Sequence, residues 1–301
     1  MSGCSRKIAL PARVARLIAV FSLIATPCRA QSSSSFATAV DDYFMNWFPR
    51  VTKIQSEQPH WANPLVTTSP RLEEQVRYDQ FWQANPHGIA TDNFGGGKGL
   101  ELIPLQNTEV KLGIPAWIAY NGHIVHSTTK KEVATDGWVD ETFLIKYRLL
   151  SANEEAGNYI LTAFMGFSAP TGIHRNSSGH ALFTPTLAAG KGFGDFDVQS
   201  TLGITFPNGG EDRLGWPLAW NTAFQYHIFK YLWPEVETNY TWFAQGTRTG
   251  QSQLFLTPGL LLGRFPIHGR VGLTIGAGYQ VAVTHHPSYN NAVILSARIT
   301  F

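Results

Sequence analysis

Serine and histidine side chains lie close together in one segment of the chain, where they suggest hydrolytic chemistry. His174 and His180 flank Ser177 and Ser178. A histidine that takes the proton of a serine hydroxyl makes that serine a nucleophile. No sequence order defines such a site, however, because the fold brings the partners together. Since no other pattern supports catalysis, we predict a protein that is not an enzyme and has no catalytic residue.

Other histidines and two glycine-rich segments suggest metal or phosphate binding. His285 and His286 are adjacent, but no third ligand stands at a spacing typical of a metal site. The segments "FGGGKGL" and "GKGFGD" lack the pattern of a phosphate-binding loop, because Gly follows Lys98 and no helical pattern follows either segment. We therefore predict no metal and no cofactor.

Charged and amide side chains at alternate positions are the third group that could do chemistry. Such spacing places them on one face of a β-strand, which we expect to line the interior of a barrel. Opposite charges there either pair with one another or tune which solutes pass, and their mixed signs predict weak ion selectivity. The lumen-facing candidates are Asp140, Lys146, Arg148, Asp195, Asp197, Glu235, Glu237, Gln280 and Arg298.

The elements that carry these residues alternate with period two. In "RVGLTIGAGYQVAVT" every second residue from Val271 to Val283 is apolar or aromatic, and the residues between are small or polar. Runs of 11 to 15 residues exceed the roughly 5 or 6 of globular strands and suit tilted membrane spans of about 9 to 11 residues. Charged residues form only 15% of the chain, against roughly 25% in soluble domains. The sequence therefore predicts an all-β fold, a transmembrane antiparallel β-barrel.

The last twelve residues, "NNAVILSARITF", repeat this alternation up to the final position. Leu295, Ile299 and the terminal Phe301 share the apolar face, and we expect them to form the C-terminal signal that barrel assembly requires. Long and short connections alternate along most of the chain, as in bacterial barrels with short periplasmic turns and long outer loops. We expect about 12 strands, at 70–83, 99–105, 108–120, 137–150, 157–168, 180–189, 195–207, 217–230, 235–246, 251–263, 270–283 and 291–301.

The number of strands also limits the width of the interior. Eight strands give an interior that side chains fill, and 16 to 18 give an open aqueous channel. Twelve predict a narrow or partly occluded pore. The phenylalanines expected to point inward, and to make this pore less wet, are Phe164, Phe229, Phe243 and Phe255.

The first thirty residues have the pattern of a secretory signal peptide. Basic residues precede the apolar stretch "LIAVFSLIA", and small residues follow it. Removal of residues 1–30 removes both cysteines, Cys4 and Cys28, and five of the 23 basic residues. The remaining 18 basic and 21 acidic residues give a formal charge of −3, so a nucleic-acid partner has no electrostatic basis.

Residues 31–68 are predicted to form an N-terminal periplasmic segment ahead of the barrel at 69–301. Within "FATAVDDYFMNWF", one helical face carries Phe36, Val40, Phe44, Trp47 and Phe48, and Pro49 is expected to end the helix. Two interpretations stay open. The short helical segment either folds into the lumen as a plug or lies on the periplasmic rim or membrane interface.

Four segments resemble an outer-membrane barrel family associated with the meta-pathway of phenol degradation. They are "GLELIPLQNTEVKLGIPAW", "GKGFGDFDVQSTLGITFP", "LFLTPGLLLGR" and "GLTIGAGYQVAVTHHPSYNNAVILSARITF". The likeness covers about residues 65–301 and rests on Gly, Pro and Asp positions and on the terminal strand. It implies an outer-membrane channel for small apolar or aromatic compounds, and it supplies no catalytic or binding residue.

These observations predict a channel or transporter for passive uptake of small hydrophobic or aromatic compounds, in the cell outer membrane of a Gram-negative-type bacterium. The expected partners are outer-membrane lipid, the barrel assembly machinery and a small apolar or aromatic solute. The alternative is a non-transporting surface barrel, an adhesin or structural protein, that binds a partner through its outer loops.

Overall fold

A computed structural model describes residues 33–85, 90–95, 99–121, 136–173 and 176–301. The predicted signal peptide 1–30, most of the predicted outer loop 121–136, Lys98 and His174 lie outside these ranges. The chain divides into two units, Met1–Phe48 and Pro49–Phe301.

Two helices occupy the N-terminal region, α1 at Ser33–Met45 and α2 at Trp47–Ser56. Pro49 was expected to end the amphipathic helix, but the structure places it in the first turn of α2. Proline is tolerated there because the first N–H groups of a helix have no intrahelical partner. In the first unit, the Tyr43 ring packs edge-on against Trp47 with centroids 5.5 Å apart. Among the described residues, no helix is long and apolar enough to cross a membrane.

The second unit begins inside α2 and, in the described part of the chain, also contains sixteen strands and a short helix, α3, at Glu211–Leu214. The strands are β1 Gln75–Ala84, β2 Ala90–Phe94, β3 Gly99–Leu105, β4 Thr108–Gly113, β5 Trp117–Asn121, β6 Gly137–Trp138, β7 Glu141–Ala152, β8 Tyr159–Ala169, β9 Leu182–Phe193, β10 Phe196–Ile204, β11 Phe206–Pro207, β12 Pro217–Tyr226, β13 Leu232–Phe243, β14 Ser252–His268, β15 Val271–Ala282 and β16 Asn291–Thr300.

These strands form a closed antiparallel barrel. Its ring has twelve positions, each of which we call a wall and each of which consists of one strand or of two strands in line. The sheet closes where β1 pairs with β16, from Gln75 opposite Thr300 to Ala84 opposite Asn291. Four walls consist of two strands each: β2 with β3, β4 with β5, β6 with β7, and β10 with β11. The predicted fold class, a β-barrel of about 12 strands with a short helical N-terminal region, is confirmed.

Several predicted boundaries were wrong for identifiable reasons. The first strand begins at Gln75 rather than residue 70. Residues 90–94, expected in a loop, form β2 and pair with both β1 and β5. The eighth strand ends at Tyr226 because Phe229 has a φ of 57°, outside the extended region; its side chain is exposed in the turn rather than inside the barrel. The predicted turn at 264–269 continues β14 to His268, and the chain reverses at Gly269.

The two faces of each wall differ in burial as the alternation predicts. In β16, Leu295 and Ile299 are 45% and 46% exposed on the outer face, whereas Ser296 and Arg298 are buried on the inner face. A soluble barrel would expose polar residues on its outside, but here the exterior carries a belt of large apolar side chains. This distribution is the one that transmembrane barrels use.

Candidate functional site: the barrel interior

An extended stretch of chain, residues 57–74, lies against the inward faces of the walls. We call it the inner segment. Its sequence "EQPHWANPLVTTSPRLEE" contains Pro59, Pro64 and Pro70, and it forms neither helix nor strand. Proline lacks a backbone donor and disfavours both structures, so the buried backbone groups of this segment need other partners.

Two arginines of the wall bind carbonyl groups of the inner segment. The Arg298 guanidinium donates to the carbonyl oxygens of Asn63 and Pro64, the latter at 2.8 Å. Arg77 donates to the carbonyl of Leu65, and all these groups are buried. A guanidinium offers five donors in a fixed fork, so one side chain satisfies two successive carbonyls.

Two acidic residues of β13 bind the N–H groups of the same stretch. Glu237 accepts from Val66 at 2.7 Å and from Thr67 at 2.6 Å, one bond on each carboxylate oxygen. Glu235 accepts from the N–H of Leu65 at 3.1 Å. Carboxylate acceptors make shorter and stronger hydrogen bonds than neutral groups. The walls therefore hold positions 63–67 by complementary charge on both sides of the backbone.

Lys146 and Arg148 on β7 bind the inner segment near its C-terminal end and at its junction with α2. The Lys146 ammonium donates to the carbonyl of Arg71 at 3.0 Å and forms a 2.9 Å ion pair with Glu109. The Arg148 guanidinium donates to the carbonyl of Ile54 at 2.8 Å and forms a 3.1 Å ion pair with Glu57. These lumen-facing candidates thus bind the segment as well as acids of opposite charge.

Three glycines of β14 and β15 form a socket for one leucine of the inner segment. Leu65 is fully buried. A Cβ added at Gly259 or Gly278 would lie 2.5 or 2.7 Å from Leu65 Cδ1, and one added at Gly276 would lie 2.7 Å from Leu65 Cδ2. Such distances are shorter than real Cβ contacts, so a side chain at any of the three positions would force the Leu65 methyl groups to move.

At the other end of the barrel, Gln280 binds residues of two neighbouring walls and of one loop. Its side-chain nitrogen donates to Asn239 and Thr257, at 3.0 Å in each case. The Tyr289 hydroxyl donates to the Gln280 side-chain oxygen, and the Tyr289 ring stacks on Phe255 with centroids 4.6 Å apart. Burial raises the pKa of Tyr289 to about 12. The loop at 283–290 therefore folds inward and narrows this end.

The remaining sequence candidates lie in different places. Asp197 is buried inside and accepts from Gln199 at 3.0 Å. Asp140 stands between β6 and β7, where it accepts from the hydroxyl and the N–H of Ser178 at 2.6 and 2.8 Å. Asp195 is exposed in the turn between β9 and β10 rather than inward-facing. At the C-terminus, the Phe301 N–H donates to the Glu74 carbonyl at 3.2 Å.

The groups that suggested catalysis or metal binding make other contacts. The Ser178 hydroxyl donates to Asp140, and it also lies 2.6 Å from the backbone carbonyl of His180. His285 and His286 are exposed in a loop. Within the described ranges, no three His, Cys, Asp or Glu side chains gather as a metal site would need.

Sequence reasoning missed several inward-facing residues of comparable importance. They occupy the same face as neighbouring candidates in strands that the alternation had located, so their position in the strand was a usable signal. They are Arg77, Asp79, Glu101, Glu109, Lys111 and Gln199.

The middle of the lumen is closed around the inner segment. The cavity lined by Ser69, Arg77, Glu101 and Lys146 has a volume of about 10 Å³, at or below the space that one water molecule needs. Towards the short turns the interior widens into a cavity of about 320 Å³ beside Trp61 and Trp233. In this arrangement the inner segment obstructs the path along the barrel axis.

Solved structures of outer-membrane barrels are similar to this chain, and the first of the three below supports the fold. An outer membrane channel from Pseudomonas putida F1 superposes with a TM-score of 0.53 at 14% identity, over 80% of this chain and 100% of that chain. The NanC porin has a TM-score of 0.49 at 9% identity, over 75% and 98%. The KdgM porin has 0.41 at 11%, over 75% and 99%. No family model and no curated protein matches the sequence.

Proposed function

We propose that this protein is an outer-membrane channel whose lumen is gated by the inner segment. The observation that carries the proposal is a closed barrel with an apolar exterior and a polar interior, in which a strandless segment is held by side chains. Because most of its backbone contacts run to side chains rather than to a sheet, the segment can shift without opening the barrel wall. The lumen-facing candidates then serve as the attachment points of a plug.

The solutes we propose are small hydrophobic or aromatic compounds, taken up by passive diffusion. Aromatic side chains in the cavity near the short turns, Trp61, Tyr231 and Trp233, offer a surface suited to aromatic rings. The likeness to the barrel family of phenol degradation supports the same class. The proposed partners are outer-membrane lipid and the barrel assembly machinery. We propose that this machinery recognises a C-terminal signal formed by Leu295, Ile299 and Phe301.

Solute flux into liposomes tests this function. The chain without residues 1–30 is refolded into vesicles that contain lipopolysaccharide, which slows direct passage of apolar solutes through lipid. We expect labelled phenol to enter these vesicles faster than it enters empty vesicles. The protein should increase the rate of glucose entry by a smaller factor. Equal phenol flux with and without protein would refute the proposal.

Deletion of the loop at 283–290 separates a channel from a surface-binding barrel. The inward contacts of Tyr289 with Gln280 and Phe255 place this loop across the lumen, so its removal should preserve or increase flux. A barrel that serves only to bind a partner through its outer loops would instead lose that partner, and its flux would equal that of empty vesicles before and after the deletion.

A further inference from the structure

The interior at the short-turn end holds two adjoining cavities whose walls combine cations and aromatic rings. The rim cavity, about 410 Å³, is lined by Thr52, Lys230, Arg264 and Arg270 among others. The inner cavity, about 320 Å³, shares Lys230 and Arg264 with it. Small-molecule sites measure roughly 300–1,000 Å³. The inner cavity therefore has room for one ring with a short substituent.

The charge on these walls is strongly positive. The inner cavity is lined by the cations Arg71, Lys230, Arg264 and Arg298 and by one acid, Glu73. Glu73 forms a 3.1 Å ion pair with Arg71, so its charge is already balanced. Lys230 and Arg264 are exposed at the boundary with the rim cavity, where they attract an anion as it enters.

Unpaired hydrogen-bond donors lie in the wall of the inner cavity. Trp61 is 4% exposed and Arg71 9% exposed, and among the described residues neither the Trp61 indole N–H nor the Arg71 Nε–H has a partner. Buried donors without partners are costly. The Asn63 side-chain oxygen and His227 Nε2 are likewise unpaired, so a ligand hydroxyl would also find an acceptor.

Flat rings form the rest of the wall. His227 stacks on Trp233 with centroids 4.0 Å apart and planes 10° from parallel. Trp61 and Tyr231 line the same cavity. Rings of this kind favour another aromatic ring by stacked or edge-on contact, and the donors and cations favour a carboxylate.

We infer that the inner cavity binds a small aromatic carboxylate, of the size of benzoate. The inference names the substrate class of the proposed channel and so rests on that function. The cations draw the anion through the rim cavity and the ring packs among Trp61, Tyr231 and Trp233. The two unpaired N–H groups are closed off from the cavity in this structure, and rotation of the Trp61 and Arg71 side chains turns them towards the carboxylate. Glu154 and Asp195 line an adjoining cavity, which shares His60, Trp61, His227 and Trp233 with the inner cavity; neither acid lines the inner cavity itself.

Equilibrium binding tests the site independently of flux. The protein used is residues 31–301, refolded in detergent. Fluorine NMR follows para-fluorobenzoate, with unlabelled benzoate as competitor and para-fluorophenol as the neutral analogue. We expect saturable binding of the carboxylate, competition by benzoate and at least tenfold weaker binding of the phenol. Absent or non-saturable carboxylate binding, equal binding of the phenol, or equal competition by cyclohexanecarboxylate would overturn the inference.

Substitutions locate the binding. Trp61→Phe keeps a ring but removes the N–H, and it should weaken binding roughly tenfold, as expected for one hydrogen bond to a charged acceptor. Lys230→Gln with Arg264→Gln should weaken binding and flatten its dependence on salt. Arg213→Gln, at the other end of the barrel, is the matched control and should bind as the parent does. Heat-modifiable gel migration verifies that each variant folds.

The outcomes separate this inference from the proposed function. Phenol flux without benzoate binding would support the channel function and refute the anion site. Benzoate binding without any flux would support the anion site and refute the channel function. If Arg213→Gln weakens binding as much as Trp61→Phe, the carboxylate binds elsewhere and the inference fails.

Discussion

Leu65→Ala should release the inner segment from its socket. Leu65 is fully buried and contacts Gly259, Gly276 and Gly278. Leucine-to-alanine changes in cores cost roughly 2–5 kcal/mol, more where the site cannot collapse. Glycines have no side chain that could move into the space, so we expect a loss of about 3 kcal/mol. At about 1.4 kcal/mol per tenfold, the ratio of docked to undocked segment falls by roughly 150-fold.

Cysteine labelling measures this ratio directly. Cys4 and Cys28 both lie in residues 1–30, so the chain without those residues has no cysteine of its own. Thr67→Cys places a thiol at a fully buried position that becomes accessible when the segment undocks. The rate of maleimide labelling should rise roughly 150-fold in Leu65→Ala, and single-channel recordings should show longer open times.

Two controls make the result interpretable. Leu65→Met keeps the volume, costs less than about 1.5 kcal/mol and should raise the rate no more than about tenfold. Leu295→Ala removes a leucine from the outer face and should leave the rate near that of the parent. Labelling of Leu65→Ala within tenfold of the parent, or an equal rise in Leu295→Ala, would refute the role of the socket.

Three further predictions concern the other attachments of the inner segment. Glu237→Gln replaces an acceptor of two N–H groups by an amide that can accept only through its oxygen. It should raise the labelling rate roughly tenfold or more, and an unchanged rate would contradict the role of Glu237 as an attachment point. Gly190→Ala should act similarly, because its Cβ would lie 2.5 Å from the Trp61 ring; a parental rate would show that the ring can move aside. Burial raises the pKa of Glu154, but hydrogen bonds from His60 outweigh this effect and hold the pKa below its ordinary value; the contact therefore stabilises the segment above the ordinary glutamate pKa and is lost as pH falls through the lowered value. The open time of single channels should rise in that acid range, and it should rise less in Glu154→Gln. Equal pH profiles of the open time in the two proteins would show that this contact does not hold the segment.

The sequence located most of the walls because each strand carries its own signal. Alternation in 271–283 and 291–301 appears in the structure as β15 and β16, with the inner and outer faces as expected. Boundaries failed where backbone geometry rather than polarity ends a strand, as at Phe229, or where pairing extends a strand beyond its apolar pattern, as at β2 and β14. These features depend on the neighbouring strand and leave little trace in local composition.

The attachment of the inner segment is a different case. Arg298 could be placed on the inner face from the alternation, but its partners could not be predicted. It binds the carbonyls of Asn63 and Pro64, more than 230 positions away in the chain, and Glu237 binds N–H groups about 170 positions away. Loop closure over such distances is specified by no local pattern.

The sequence by itself determined that every second side chain of a closed ring of strands is apolar and that the alternate face is polar, because period-two polarity is a property of consecutive residues. Only the tertiary structure decided what the polar face binds. Its partners are backbone N–H and carbonyl groups, which nearly all residues have in common, so the identity of the side chains does not predict them. The socket of Leu65 likewise exists only where three glycines on two strands meet one distant leucine.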